Sequence, residues 1–373
     1  MNRLTYVFVG NRKEKYLANN IGPKDFFYGL TFYKKSKFNV EVIEGQTTGG
    51  KVKKILKLFD LFFKKIINLP VYMYDFLSLK NINIIRKSNK IILVNETTFC
   101  SFAPFLLLLK LFKKIDVYVF VMGLYSKKLK FPHLRWLHFF VIRAFVSTTT
   151  KILFLGEGEF KKALSIHPSL DKKFKLFPFY IDTKFWKLDE NKHINEREYI
   201  LFVGNDGNRD AHLFIELAKY FKNLKFVAVT KIQEIVNSNL KNVIVMQGSN
   251  QDGSLTDIEL KEVYKDSKFV IIPLKETSQP SGQSVALQAM SCQRAVIISD
   301  TEGFWDRKKF IHDKNIVLVK NTITNWKYEI SKLNKNIDKV ILLENEGSKL
   351  VRVNLNQEIF ETELNKLLEI KSY

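Results

Sequence analysis

At 373 residues the chain is too long for one ordinary core and suits two domains of roughly 150 to 200 residues each. A hydrophobic fraction of 46% excludes disorder, and the two distant cysteines, Cys100 and Cys292, suggest neither a zinc site nor a disulfide scaffold. The net charge of +22 is lopsided: residues 1–190 carry 34 Lys and Arg against 14 Asp and Glu, whereas residues 191–373 carry 26 against 24. Lysine-rich coding would load both halves alike, so the asymmetry points to an anionic partner for the first half.

In that half, hydrophobic patterning predicts strands at 5–9, 40–43, 90–94, 116–121, 151–155 and 175–179. Helices are predicted between them at 25–33, 51–67, 103–112, 134–146 and 158–165. The short apolar run in MNRLTYVFVGNRKEK is too short for the core of a signal peptide, so a cytoplasmic location is expected. Within 51–67, Val52, Ile55, Leu56, Phe59, Phe62, Phe63 and Ile66 repeat at helical spacing, flanked by Lys53, Lys54, Lys57, Lys64 and Lys65. This basic amphipathic helix either packs its apolar face on the domain core or lies on an anionic membrane surface. A second basic patch sets Lys113, Lys114, Lys127, Lys128, Lys130, Arg135 and Arg143 among aromatic residues. Its apolar runs are too short or too interrupted to span about 30 Å of hydrocarbon, so a peripheral position on the inner face of the cell membrane is expected.

A charged linker at 188–198 precedes the second half, with strands at 199–203, 225–230, 243–246, 269–273, 295–298 and 316–319. Helices are predicted there at 211–221, 232–238 and 256–265. A last amphipathic helix, 356–370, either returns to the first domain or caps the second. Such alternation implies parallel sheets with right-handed crossovers, hence an α/β chain of two Rossmann-like domains facing a cleft. The run QPSGQSVALQAMSCQRAVIISDTEGFWD, 279–306, joins a turn, a small-residue helix and a buried strand. Gly282, Ser281 and Ser284 stand where the loop becomes the helix, and a helix start of this kind favours a bound phosphate.

Three landmarks, YIDTKFW (180–186), YILFVGNDGNRD (199–210) and PLKETSQPSGQSVALQAMSCQRAVIISDTEG (273–303), occur in the order and spacing of a known family. The second half resembles the nucleotide-sugar domain of GT-B-fold glycosyltransferases, in the retaining family often called group 1; the first half is similar in layout only. The resemblance implies domains at 1–187, membrane- and acceptor-facing, and 199–353, binding the nucleotide sugar, with 354–373 as a terminal helix. It implies transfer of a sugar, with retention, from a UDP- or GDP-sugar to a lipid-linked or polysaccharide acceptor in cell-surface glycan synthesis such as lipopolysaccharide. No DxD or histidine cluster is evident, so neither a metal nor a cofactor beyond the donor is expected. The family usually has a pair of glutamates around its donor helix, the first facing the transferred sugar and the second the donor ribose. Here Pro280 and Gln288 stand in their places. Gln288 retains hydrogen bonding to ribose hydroxyls, while sugar contacts pass to Glu276, Gln279 or Gln283, or to the other domain.

The amides of Ser284 and Val285 are expected to hold the distal phosphate, with Gly204, Asn205, Ser281 and Gly282 around the donor. Arg209 is either a cation against the diphosphate or a surface ion pair with Asp206 or Asp210; Gly204 either permits close approach or is a plain turn glycine. In the first half Gly10 opens a loop in which Asn11 or Arg12 touches the diphosphate or acceptor. Glu96 is either a catalytic cleft carboxylate or the structural cap of the next helix. The histidines carry no catalytic signal, and the resemblance implies front-face attack assisted by the leaving phosphate, which needs no dedicated base. Two other readings stay open: a catalytically silent GT-B protein, and a basic nucleic-acid-binding protein.

Overall fold

Each half of the chain opens with an apolar strand whose side chains are buried on both faces: β1, Arg3–Phe8, and Tyr199–Val203. A strand without a solvated face needs helices on both sides of its sheet, which parallel βαβ crossovers supply. In this computed structural model, residues 3–10, 12–13, 22–34, 38–45, 51–127, 129, 131–190, 192–247 and 255–369 are described. Asn11, Lys128 and Lys130 lie outside them, as do the side chains of Val52, Lys53 and Lys54.

The first half continues with β2 (Asn39–Glu44), β3 (Lys90–Leu93), β4 (Asp116–Val121), β5 (Lys151–Phe154) and β6 (Phe174–Leu176). The second carries β7 (Tyr199–Val203), β8 (Phe226–Val229), β9 (Val243–Met246), β10 (Ser267–Ile272), β11 (Val296–Ser299) and β12 (Val317–Val319). Two six-stranded sheets result, ordered β2-β1-β3-β4-β5-β6 and β12-β11-β10-β7-β8-β9, with every pairing parallel. The α/β architecture of two Rossmann-like units therefore stands.

The chain divides into one unit of Met1–Ile21 with Phe27–Phe177, and a second of Gly22–Phe26 with Pro178–Tyr373. Residues 178–187, placed by sequence in the first domain, thus group with the second unit, as does the terminal helix Gln357–Leu367. There the Phe360 ring lies 4.2 Å from that of Tyr180, and Asp25 accepts the indole N–H of Trp186 at 2.7 Å.

Local chemistry explains the departures from the predicted elements. The helix expected at 25–33 is broken into a 3-10 turn, Asp25–Phe27, and a helix, Leu30–Lys34, because Tyr28 and Gly29 take positive φ of 50° and 82°. The helix expected at 103–112 begins at Glu96, where Asn95 and Thr98 form a capping box. Helices Leu79–Lys87, Ile323–Lys335 and Ile337–Asn354 lie where none was predicted. Among the described residues no helix is long and apolar enough to cross a membrane.

The basic segment forms a helix, Lys51–Phe62, followed by a π-turn, Phe63–Ile67. Leu56 and Phe63 pack on the core and Ile67 is buried, whereas Ile55, Leu58, Phe59, Phe62 and Ile66 remain exposed. The stripe is split because Asp60 occupies an inward position. Its carboxylate accepts the amides of Met73 at 2.8 Å and Tyr74 at 3.1 Å, at the start of the next helix. That contact fixes the helix's rotation and turns much of the apolar stripe outward.

Candidate functional site

In open parallel sheets, ligands bind at the carboxyl ends of strands where the strand order reverses. In the second sheet that reversal falls between β7 and β10, which are neighbours while the chain leaves them in opposite directions. The loops after these two strands carry most of the residues singled out by sequence.

They are laced together by backbone and side chain. Asp210 donates its amide to Pro273 O at 2.9 Å, Lys275 donates to Asn208 O at 2.8 Å, and Arg209 bridges Leu274. Asn208 Nδ2 donates to Ser281 Oγ at 2.7 Å and to Gln279 Oε1 at 3.3 Å, tying the Gly204 loop to the residues before the helix Gln283–Ser291. Gly303 approaches from the end of β11, donating its amide to Thr277 O at 2.7 Å; a Cβ there would lie 2.3 Å from Gln279 O. Glu276 is exposed and accepts the amide of Glu302 at 2.8 Å.

Arg209 is 4% exposed, and its guanidinium is folded back against the end of β7. Nε donates to Val203 O at 3.1 Å and Nη1 to Asp206 Oδ2 at 2.8 Å. Burial pulls its pKa down and Asp206 opposes that, yet a guanidinium stays charged at neutral pH. The ion pair with Asp206 exists, but it is not a surface pair on the arginine side; Asp210 instead caps the next helix, accepting from Leu213 N at 3.0 Å. Gly204 is more than a turn glycine: its φ is +152°, and a Cβ would stand 2.1 Å from Arg209 Nε. The close approach it permits is that of Arg209 itself.

The helix Gln283–Ser291 starts at Gly282, which has φ 76° and provides no side-chain cap. A Cβ on Gly282 would also come within 2.8 Å of Ile272 Cγ2. The helix start therefore presents its first amides, those of Ser284 and Val285 among them, without a side-chain oxygen from the capping position. Gln283 is buried and Ser284 half-buried.

Two predicted residues point elsewhere. Asn205 accepts the amide of Lys231, at the end of β8. Gln288 is 6% exposed; its Oε1 accepts the Tyr264 hydroxyl at 3.3 Å and its side chain reaches the Asp25 carboxyl. Asp25 also takes the Asp182 amide, and burial pushes its pKa up to about 7. Asn208 and Asp25 were missed by sequence reasoning. The first could have been found from its place beside Arg209 in a strand-end loop; a lone Asp in a predicted helix gives no signal.

The first sheet reverses between β1 and β3. Gly10 follows β1 with φ 67° and open space where a Cβ would be, so it is needed for the turn alone. Arg12 and Lys13 donate their amides to Glu44 Oε1 at 2.6 and 3.3 Å. Glu96, after β3, is not the helix cap, a role taken by Asn95; its Oε2 lies 3.4 Å from the amide of Met122, which donates to it. Cys100 and Cys292 are buried thiols.

Two Rossmann-like units, each with a switch point on an all-parallel sheet, define the GT-B fold. No family model and no curated protein sequence matches the chain. Among solved structures it is similar to sucrose-phosphate synthase from Thermosynechococcus elongatus, with a TM-score of 0.68 at 13% identity over 99% of this chain and 98% of that one. It is similar to HepE from Anabaena, solved with UDP and glucose, with a TM-score of 0.68 at 11% identity over 99% and 100%. Trehalose 6-phosphate synthase from Burkholderia multivorans also gives 0.68, at 10% identity over 99% and 98%. At such identities the likeness concerns the fold.

Proposed function

We propose that the chain is a glycosyltransferase that moves a sugar from a nucleotide diphosphate sugar to a lipid-linked or polysaccharide acceptor, with retention and without a metal. The observation that carries this reading is the uncapped start of the Gln283 helix at the β7/β10 switch point, with Arg209 and Asn208 in the loop bonded to it. Amides at a helix start and a buried guanidinium stabilise charge that builds on a departing diphosphate. Arg209 and the amides of Ser284 and Val285 take the diphosphate; Gln279, Gln283 and Glu276 are the sugar-side candidates. Gln288 backs the ribose side of the site, its amide held by Tyr264 and Asp25. Glu96, Gly10 and Arg12 belong to the acceptor-binding half.

HepE is described with UDP-glucose, which makes UDP-sugars the first donors to try, ahead of GDP-sugars. A peripheral position on the inner face of the membrane is supported by the outward apolar residues and lysines of the Lys51 helix.

The test is a panel of UDP- and GDP-sugars measured by thermal shift and by release of free nucleotide. One donor should raise the apparent melting temperature, since a ligand bound only by the native state stabilises it. The Arg209→Lys protein, keeping the charge but not the fork, should lose at least tenfold in donor affinity. A panel without any stabilising donor overturns the reading; donor binding without turnover on any acceptor indicates a silent protein of the same fold.

A further inference from the structure

A cavity of about 660 Å³ lies wholly within the first unit, between the helices Arg135–Ser147 and Glu157–Ile166 and the loop after β4. Its volume falls in the range of about 300 to 1,000 Å³ typical of small-ligand pockets. Leu124, Phe139, Ile142 and Ile166 make its walls apolar. His167 and Tyr125, also in its lining, are 1% and 4% exposed, and among the described residues His167 Nδ1 and Tyr125 Oη have no hydrogen-bond partner. The His167 ring is stacked on Phe139 at 4.3 Å, and burial with the nearby Arg143 holds its pKa down at about 4, so it is neutral. A space of this size between two helices of a close-packed protein is large enough to take an occupant.

The remaining lining residues define that occupant. Lys127, Arg135 and Lys162 supply three cations, and none of the described lining residues is acidic. Trp136 and Phe140, also lining residues, are 61% and 59% exposed. Exposed aromatics beside cations suit a lipid-water interface, where the ring meets the apolar layer and the cation the head groups. An apolar cavity with a cationic, aromatic border fits a molecule with one greasy and one anionic end.

We propose that this cavity binds a single-chain amphiphile with an anionic head, drawn from a lipid surface. Its chain lies against Phe139, Ile142 and Ile166, and its head meets Lys127, Arg135 and Lys162. The site is separate from donor binding and stands whether or not the chain transfers sugar.

Trp136 provides the readout, because the other three tryptophans, Trp186, Trp305 and Trp326, are buried. Monomeric dibromostearate titrated into the full chain should quench Trp136 fluorescence saturably with one-to-one stoichiometry. Its methyl ester should bind at least tenfold more weakly, and inorganic phosphate should not displace it. Ser165→Phe, at an exposed lining position, should fill the cavity and weaken quenching at least tenfold; the Arg135→Glu, Lys162→Glu double variant should do the same through charge. Trp136→Phe should remove the signal. Quenching that never saturates, that persists unchanged in both variants, or that appears only with vesicles of brominated phosphatidylglycerol overturns the proposal.

Discussion

Arg209 lies in the space that Gly204 leaves by having no side chain. Gly204→Ala should expel the guanidinium from the end of β7 and strain a positive φ, costing about 1–3 kcal/mol. It should also abolish any donor-induced thermal shift. Denaturant melts and the donor panel check both, and a variant that keeps the full shift contradicts the role given to Arg209. Asp25 makes a second prediction at this scale. Its folded pKa, raised to about 7 chiefly by burial, exceeds the ordinary 3.8, so the native state holds a proton that the unfolded chain has lost. Its contribution is fully present below about pH 4 and declines as pH rises, until it is gone above about 7. Relative to Asp25→Asn, the wild-type chain should therefore lose stability between pH 4.5 and 7 and level off above; a difference independent of pH contradicts the raised value. Glu159, pushed up to about 8, adds a loss of the same sign in the first unit. Of these residues, Arg209 and Gly204 were legible from a strand-end loop. Asp25 was not, because its partners Asp182 and Trp186 lie far along the chain.

The Gln283 helix was legible as an element because its glycine start and small-residue body are local. Gly282→Ala should displace that start, since the added Cβ meets Ile272 Cγ2 at 2.8 Å and φ is positive. The expected outcome is at least a tenfold loss of donor affinity with a smaller loss of stability. The Lys51 helix was legible as amphipathic, but its rotation was not. Periodicity identifies a stripe; the bonds from Asp60 to Met73 and Tyr74 decide which residues turn inward. Leu58→Ser with Phe59→Ser, both at exposed positions, should leave the melting temperature within a few degrees and reduce sedimentation with anionic vesicles several-fold. Unchanged sedimentation contradicts a membrane role for this helix. The helices Ile323–Lys335 and Ile337–Asn354 escaped prediction because their apolar residues are spaced among many lysines and asparagines. Packing of Trp326, Ile330, Val340 and Leu343 into the second core decides them.

For the molecule as a whole, the surplus of cations in residues 1–190 predicts that vesicle binding is electrostatic in large part. Binding to anionic vesicles should weaken at least tenfold between about 0.15 M and 1 M salt, as the screening length falls from about 8 Å to about 3 Å. Neutral vesicles should bind weakly at every salt concentration. The sequence by itself determined that the chain forms two parallel α/β sheets, because strands apolar on both faces and helical spacing are local properties. It also determined where the second sheet's strand-end loops begin, since strand ends and glycines are local too. Only the tertiary structure decided that residues 22–26 and 178–187 join the second unit, that Arg209 is folded under Gly204, and that Gln288 is held by Tyr264 and Asp25. Each of these depends on burial and on partners far away in sequence, which patterning along the chain does not record.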